Sequence, residues 1–248
     1  METSIPKIST VLKTLLRADF TTQWRNRRAV ILTLIVPVII LALWKPLVRE
    51  ISGPFVLSNS ITLGLIATGL MGYSNAIARD RDKGIFQRLR VAPISSWSIM
   101  TSRLLVQMAM ILMITTAVFV VGNSYDQVTL TPAGYAVTYL SALVGGALYL
   151  GLGQMIVGRI QNPETVNSTV RLVYFLFVMG GMLGQFYHNA EFQNAVKWSP
   201  YGTVRTILAS GMEPAKWNND SSMALLVTLG YALVCAVLGI KWFKWNTK

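Results

Sequence analysis

Apolar runs about 20 residues long recur along this chain, and a helix of that length crosses roughly 30 Å of hydrocarbon. Of 248 residues, 53% are hydrophobic and only 13% are charged, whereas a soluble protein of this size carries more charge. A backbone in lipid must satisfy its own hydrogen bonds, so such runs fold as helices. The sequence therefore predicts an all-α, polytopic membrane protein with six transmembrane helices, at approximately residues 29–44, 55–78, 97–122, 133–157, 166–185 and 222–242.

The basic residues predict the orientation, because lysine and arginine accumulate in cytoplasmic segments. With a cytoplasmic amino terminus, the inside segments hold 17 of the 22 lysines and arginines and the outside segments hold five, while the ten acids divide evenly. The formal net charge of +12 then lies on the inside face. We predict a cell-membrane protein with both termini cytoplasmic, in contact with anionic lipid of the bilayer and not with nucleic acid.

The segment before the first span, residues 1–26, has the spacing of an amphipathic helix. Apolar side chains alternate with lysine, arginine and threonine, at Ile8, Val11, Leu12, Leu15 and Leu16. We predict an interfacial helix in the cytoplasmic membrane surface, with Trp24 at the headgroup level, before the transmembrane domain of residues 27–248. A simple basic anchor with no further role is the alternative.

Residues 77–93, IARDRDKGIFQRLRVAP, form a charged island between two apolar runs. Gly84 allows a sharp change of direction, and Pro93 ends the short helix that follows. This helix has an apolar stripe opposite its basic and polar side chains, at Ile85, Phe86 and Leu89. An exposed pair of Phe86 and Leu89 predicts docking into a groove on a partner protein. A basic loop that holds lipid phosphates is the alternative.

The segment at residues 189–220 is too polar, and too often interrupted by proline and glycine, to span a membrane. Its apolar residues nevertheless give it a half-buried character. Two short helices that dip into the outer leaflet fit this pattern, since irregular backbone at that depth needs protein or water around it. An ordinary structured loop is the alternative.

The polar residues within the predicted spans are neutral, and deep carboxylates are absent. An ion-coupled carrier is therefore disfavoured, and an external energy source is favoured. The chain has no Gly-x-x-x-x-Gly-Lys-Ser/Thr phosphate loop and no aspartate-rich metal motif, and His188 is its single histidine. We predict that this chain is not an enzyme and carries no metal or cofactor of its own.

The surface helix, the six spans, the charged loop and the outer segment together resemble the type-2 membrane component of ATP-binding-cassette (ABC) exporters. The similarity is carried by ARDRDKGIFQRLRVAP at residues 78–93, which is like an E/D-[RK]-x-x-G-x-x-x-R-L loop before a proline, and by KWSPYGTVRTIL at residues 197–208. Asp82 stands where the family often has glutamate. The resemblance implies a coupling helix that docks into a cytoplasmic ABC ATPase, through Asp82, Gly84, Ile85, Phe86, Leu89 and Arg90.

The same resemblance implies that residues 6–20 form a connecting helix that also touches the ATPase, with Leu12, Leu15 and Leu16 on its apolar face. ATP and Mg would be bound by the partner ATPase. The implied function is that of a permease subunit exporting a drug, an antibiotic or a lipid-like amphipathic molecule. A polysaccharide-export permease is the nearer alternative, and a membrane anchor or sensor that recruits a soluble partner through the same island is another.

Six helices enclose little room, so a path for an amphipathic substrate is expected between two copies of the permease or between two related chains. Glycines allow close helix contact. A dimer axis or hinge is expected at the glycine cluster of the fifth span, at Gly180, Gly181 and Gly184. Candidate path residues are neutral polar side chains within the spans, at Asn59, Thr62, Asn75 and Tyr174.

Overall fold

A computed structural model describes residues 8–46, 52–91, 95–186 and 189–243. All regular structure in these ranges is helical, as the sequence predicts. The helices are α1 (Ile8–Arg25), α2 (Arg27–Leu43), α3 (Gly53–Asp82), α4 (Ile85–Val91), α5 (Ser96–Asp126), α6 (Pro132–Arg159), α7 (Pro163–Phe186), α8 (Ala190–Trp198), α9 (Pro200–Met212) and α10 (Asn219–Trp242).

Helix α3 lies at the centre of the bundle. It begins where the Ser52 hydroxyl accepts a hydrogen bond from the Phe55 amide at 3.3 Å, and Pro54 occupies its first turn. A π-helical turn interrupts it at Ala67–Gly72. All residues from 56 to 66 are buried, polar ones included, because α2, α5, α6 and α9 pack around this helix. The core of the protein therefore surrounds α3.

Four helical stretches of the described chain are long and apolar enough to cross a membrane, and they correspond to the second, third, fourth and sixth predicted spans. They are Gly53–Asp82, Trp97–Ser124, Pro132–Arg159 and Asn219–Trp242. The apolar part of α2, Thr33–Leu43, is shorter, and α7, a helix of 24 residues at the place of the fifth predicted span, lies outside this set. The six-span topology therefore stays a prediction.

Glycines bring α6 into close contact with α10, the helix against which it packs most extensively. A Cβ added to Gly151 would lie 3.2 Å from the Ala232 carbonyl oxygen, and one added to Gly158 would lie 3.0 Å from the Gly239 carbonyl oxygen. The two backbones can approach this closely only because these positions lack side chains. Glycine thus allows close helix contact in this span, as it does in membrane helices generally.

The segment after α7 forms the two short helices that its sequence predicts. The Asn189 side chain caps α8, and Ser199 both ends α8 and caps α9, whose first residue is Pro200. Helix α9 packs against α3, α6 and α10, so this segment is part of the helix bundle and is not a peripheral loop. Its depth in a membrane stays a prediction.

Candidate functional site

The charged island folds as a helix, a turn and a second helix at one end of the bundle. Helix α3 runs through the first charged residues to Asp82. Gly84 then adopts a φ of 66°, a left-handed conformation that residues other than glycine rarely adopt, and α4 begins at Ile85. The predicted change of direction at Gly84 is confirmed.

Arg81 fastens this turn to the end of α6. Its side chain is only 2% exposed, and its guanidinium donates hydrogen bonds to the carbonyl oxygens of Val157 at 2.7 Å, Ile160 at 2.6 Å and Gln161 at 3.1 Å. These carbonyls belong to the carboxyl-terminal end of α6, where unpaired acceptors and the helix dipole favour a cation. Arg81 therefore holds the end of α3 and the end of α6 together.

Two further polar contacts connect the island with neighbouring helices. On α5, Arg103 forms an ion pair with Asp80 of α3, and Ser102 donates a hydrogen bond to Asp19 of α1 at 2.5 Å. Burial raises the pKa of the Asp19 carboxyl, while the bond from Ser102 and the charge of Arg103 oppose that shift. Helix α1, the island and α5 are thus joined through the neighbouring residues Ser102 and Arg103.

The burial of Phe86 contradicts one prediction from the sequence. The sequence suggests an exposed Phe86 available to a partner, but this side chain is 1% exposed. Its ring makes an edge-to-face contact with Phe243 at a centroid distance of 5.9 Å, and the Arg103 guanidinium lies 4.8 Å from its centroid. The apolar stripe of α4 therefore packs against its own chain, with Phe86 buried and Ile85 and Leu89 half-buried.

The face of the island that points away from the bundle is polar. Exposed side chains on it are Asp82, Lys83, Gln87 and Arg88. Among the predicted docking residues, Asp82 is thus available on the surface. The side chain of Arg90, together with Pro93, lies outside the described residues, as does His188.

The amino-terminal segment forms a helix from residue 8, and its apolar residues lie on one side. Leu12, Leu15 and Leu16 are half-buried, whereas Lys13 and Arg17 are exposed. Leu15 packs against the hydrophobic core. Helix α1 contacts α5 and α2, so it lies against the bundle next to the island. Its position in a membrane surface stays a prediction.

The four candidate path residues differ in their exposure. Asn59 and Thr62 are both 0% exposed, so neither faces an opening in this conformation. Asn59 accepts a hydrogen bond from the Tyr201 hydroxyl at 2.6 Å, and Thr62 donates to the Ser58 carbonyl oxygen at 2.7 Å. Both polar groups are satisfied inside the packing. Asn75 and Tyr174 are half-buried and are the better placed of the four predicted residues.

The three glycines of the α7 cluster also have different surroundings. A Cβ on Gly181 would lie 2.3 Å from the ring of Tyr201, and one on Gly184 would lie 2.8 Å from the Val196 side chain. A Cβ on Gly180 would meet nothing within 4 Å. Gly181 and Gly184 therefore serve contacts within the chain, and only Gly180 leaves a surface open for a second copy.

Alanine substitutions at the neighbouring positions Gly180 and Gly181 test this difference in surroundings. We expect Gly181→Ala to lower the free energy of unfolding by about 2 kcal/mol, because Tyr201 is buried and anchored through Asn59 and cannot move aside. Gly180→Ala should change it by less than about 0.5 kcal/mol. Thermal unfolding in detergent measures both, and equal stability of the two variants would contradict the packing described here.

Sequence patterns did not reveal the contacts of Arg81, Asp80 and Asp19. The island alternates basic and acidic residues, but that alternation indicates a solvated face as readily as a set of buried contacts. The hydrogen bond between the Tyr201 hydroxyl and Asn59 joins residues that are 142 positions apart in the sequence. Only the packing of α3 against α9 brings those two side chains together.

Comparison with known proteins agrees with this architecture. YvfS of Bacillus subtilis (strain 168), whose name proposes that it is a transport permease, is 20% identical to this chain over 187 residues, covering 73% of this chain and 74% of YvfS. The model of the ABC-2 type transporter family matches residues 10–201. This match contains α2 to α8 and most of α1, including the island between α3 and α5. The chain therefore belongs to the ABC-2 type transporter family and is a membrane transport permease subunit.

Proposed function

We propose that this chain is the membrane-spanning permease subunit of an ATP-driven exporter in the cell membrane. It pairs with a cytoplasmic ABC ATPase and with a second copy of itself or a related permease chain. The complex moves a drug, an antibiotic or a lipid-like amphipathic molecule out of the cytoplasm. Membership of the ABC-2 family supports the ATPase partner, and the family match covers most of the chain.

The observation that carries this proposal is the attachment of the island to the bundle. The exposed polar face of Asp82, Lys83, Gln87 and Arg88 is available to a soluble protein. Behind it, Arg81 is buried and bonded to the end of α6. A partner that pushes on the exposed face would therefore move the ends of α3 and α6 together.

Helix α6 would carry such a movement further, because it packs against α10 through its glycines and against α9. ATP binding and hydrolysis, with Mg, would take place on the partner ATPase. Closure of two ATPases would bring two islands closer, and the permease pair would change between inward-open and outward-open states. The four residues of the exposed face would contact the ATPase, and Arg81 would transmit the displacement.

Reversal of one charge on the exposed face tests the docking role. The tagged chain is purified in mild detergent with its ATPase, which is identified by mass spectrometry and then titrated as a purified protein. We expect Arg88→Glu to weaken this association about tenfold, since a charge reversed at an interface opposes a complementary partner. ATP hydrolysis by the complex should fall in parallel.

Lys216→Glu is the matched control, because Lys216 is also exposed and lies in the turn between α9 and α10, outside the island. Its ion pair with Glu213 is on the surface and contributes little to stability. The Lys216→Glu substitution should leave the association with the ATPase unchanged. Normal ATPase binding by Arg88→Glu, or an equal loss in both variants, would contradict docking at the island.

A further inference from the structure

A cavity of about 410 Å³ opens between α5, α6 and α10, at the end of the bundle that carries the island. Its size is within the range of small-molecule sites in proteins. None of the residues discussed as docking or path residues lines it. We propose that this cavity binds one acyl chain of an anionic phospholipid from the surrounding membrane. The proposal concerns a resident lipid and does not depend on which molecule the permease transports.

The walls of the cavity are mostly apolar. Met100 and Leu104 come from α5, Ala147 from α6 and Ile240 from α10. Leu104 and Ile240 are 36% and 55% exposed, so the cavity is open on the side where these two residues lie. In a permease with spans at α5, α6 and α10, this outer surface faces lipid. An acyl chain that enters the cavity would then contact its apolar lining residues.

Two buried polar side chains in the wall are bonded to each other. The Tyr73 hydroxyl donates a hydrogen bond to Gln154 Oε1 at 2.6 Å, and the side chains are 1% and 9% exposed. This bond pairs the Tyr73 hydroxyl with Gln154 Oε1 inside the packing, so neither oxygen needs a polar occupant of the cavity. A long polar molecule would lose its hydrogen bonds to water in this cavity and would not regain as many from the walls.

The position of tryptophans places the mouth of the cavity at the headgroup level. Trp97 lines the cavity, is 69% exposed and begins the candidate span Trp97–Ser124. Trp242 ends the candidate span Asn219–Trp242, directly before the lining residue Phe243. Tryptophan is enriched at membrane interfaces, so a lipid with its headgroup at this level could insert its chain beside α5 and α10.

The charge next to the mouth favours an anionic headgroup. Gly158 packs against Gly239 and Trp242, which places the ends of α6 and α10 side by side. The last turns of these helices carry Arg159 and Lys241, both exposed, and contain no acidic residue. Basic side chains at this level attract anionic lipids. A neutral apolar molecule would fill the cavity without using this charge, so the combined features match a phospholipid.

Native mass spectrometry of the purified full chain, incubated with phosphatidylglycerol or with phosphatidylcholine of the same acyl composition, tests the proposal. We expect one phosphatidylglycerol retained per chain, with at least fivefold preference over phosphatidylcholine. Ala147→Phe, which fills the cavity from α6, should reduce retention at least fivefold. Ala136→Phe is the matched control, because Ala136 is exposed on the same helix and does not line the cavity; it should retain lipid normally.

Thr101→Trp provides a second filling variant from α5, at an exposed position of the lining, in case Ala147→Phe fails to fold. Replacement of Arg159 and Lys241 by glutamine should remove the preference for phosphatidylglycerol while retaining acyl binding. Normal retention by a folded filling variant would overturn the proposal, as would equal retention of both lipids by the unmodified chain. Lipid retention only after removal of residues 244–248 would also overturn it, since the cavity would then hold the chain's own terminus.

Discussion

Replacement of Arg81 by alanine is expected to abolish transport coupled to ATP hydrolysis and to lower the free energy of unfolding by about 3 kcal/mol. The guanidinium donates to three carbonyl oxygens at the end of α6, and its side chain is 2% exposed. Removal leaves those acceptors without their partner, and each such loss costs about 1–3 kcal/mol where water cannot enter. The attachment between α3 and α6 would also be lost.

Two arginine variants separate these effects. Arg79→Ala removes an exposed arginine from the same last turn of α3 and should change stability by less than about 0.5 kcal/mol. Arg81→Lys keeps the charge but lacks the planar fork, so it should recover only part of the loss. Thermal unfolding and ATPase-driven transport of the reconstituted complex are the measurements. Full transport by a folded Arg81→Ala variant would exclude its role in transmitting movement.

Replacement of Gly202 by alanine is the second change with a large expected effect. Its Cβ would lie 2.1 Å from the Val196 carbonyl oxygen and 2.5 Å from the Lys197 carbonyl oxygen. These atoms are backbone and cannot rotate aside. The corner is also fixed by Ser199, whose hydroxyl donates to the Val196 carbonyl at 2.6 Å and accepts from the Gly202 amide at 3.2 Å.

We therefore expect Gly202→Ala to open the corner between α8 and α9 and to lower the free energy of unfolding by about 3 kcal/mol. For a chain of this length the midpoint of thermal unfolding should fall by roughly 10 °C. Gly230→Ala is the control, since a Cβ there meets nothing within 4 Å and alanine favours the helix. A Gly202→Ala variant as stable as Gly230→Ala would show that the corner does not have this geometry.

The burial of Phe86 changes which residues of the island are expected to meet a partner. Helical periodicity correctly groups Ile85, Phe86 and Leu89 on one stripe. It cannot tell whether that stripe packs against another protein or against its own chain, because both surfaces exclude water from the same side chains. Contacts with Phe243 and Arg103, both distant in sequence, decide that question. The docking surface that we propose is accordingly the polar face opposite the stripe.

The glycines of the chain illustrate the same limit. Glycines such as Gly151, Gly180 and Gly181 permit close packing of helices. Their neighbours differ, because Gly151 meets α10, Gly181 meets the Tyr201 ring and Gly180 meets nothing nearby. A missing side chain creates room without specifying what fills it. Gly180, Gly181 and Gly184 are the predicted positions of a dimer axis at α7. Of these three, only Gly180 has open space beside it.

The sequence by itself determined the class of the protein and the approximate positions of the apolar helices at its second, third, fourth and sixth predicted spans. Hydrophobic length, proline, glycine and capping residues act locally, so α3, the turn at Gly84 and the corner at Ser199 could be predicted or explained from neighbouring residues. Only the tertiary structure decided which buried groups meet. The bonds of Arg81 to the end of α6 and of Tyr201 to Asn59 join distant segments, and they form because helix packing excludes water from these polar groups and brings them within reach of one another.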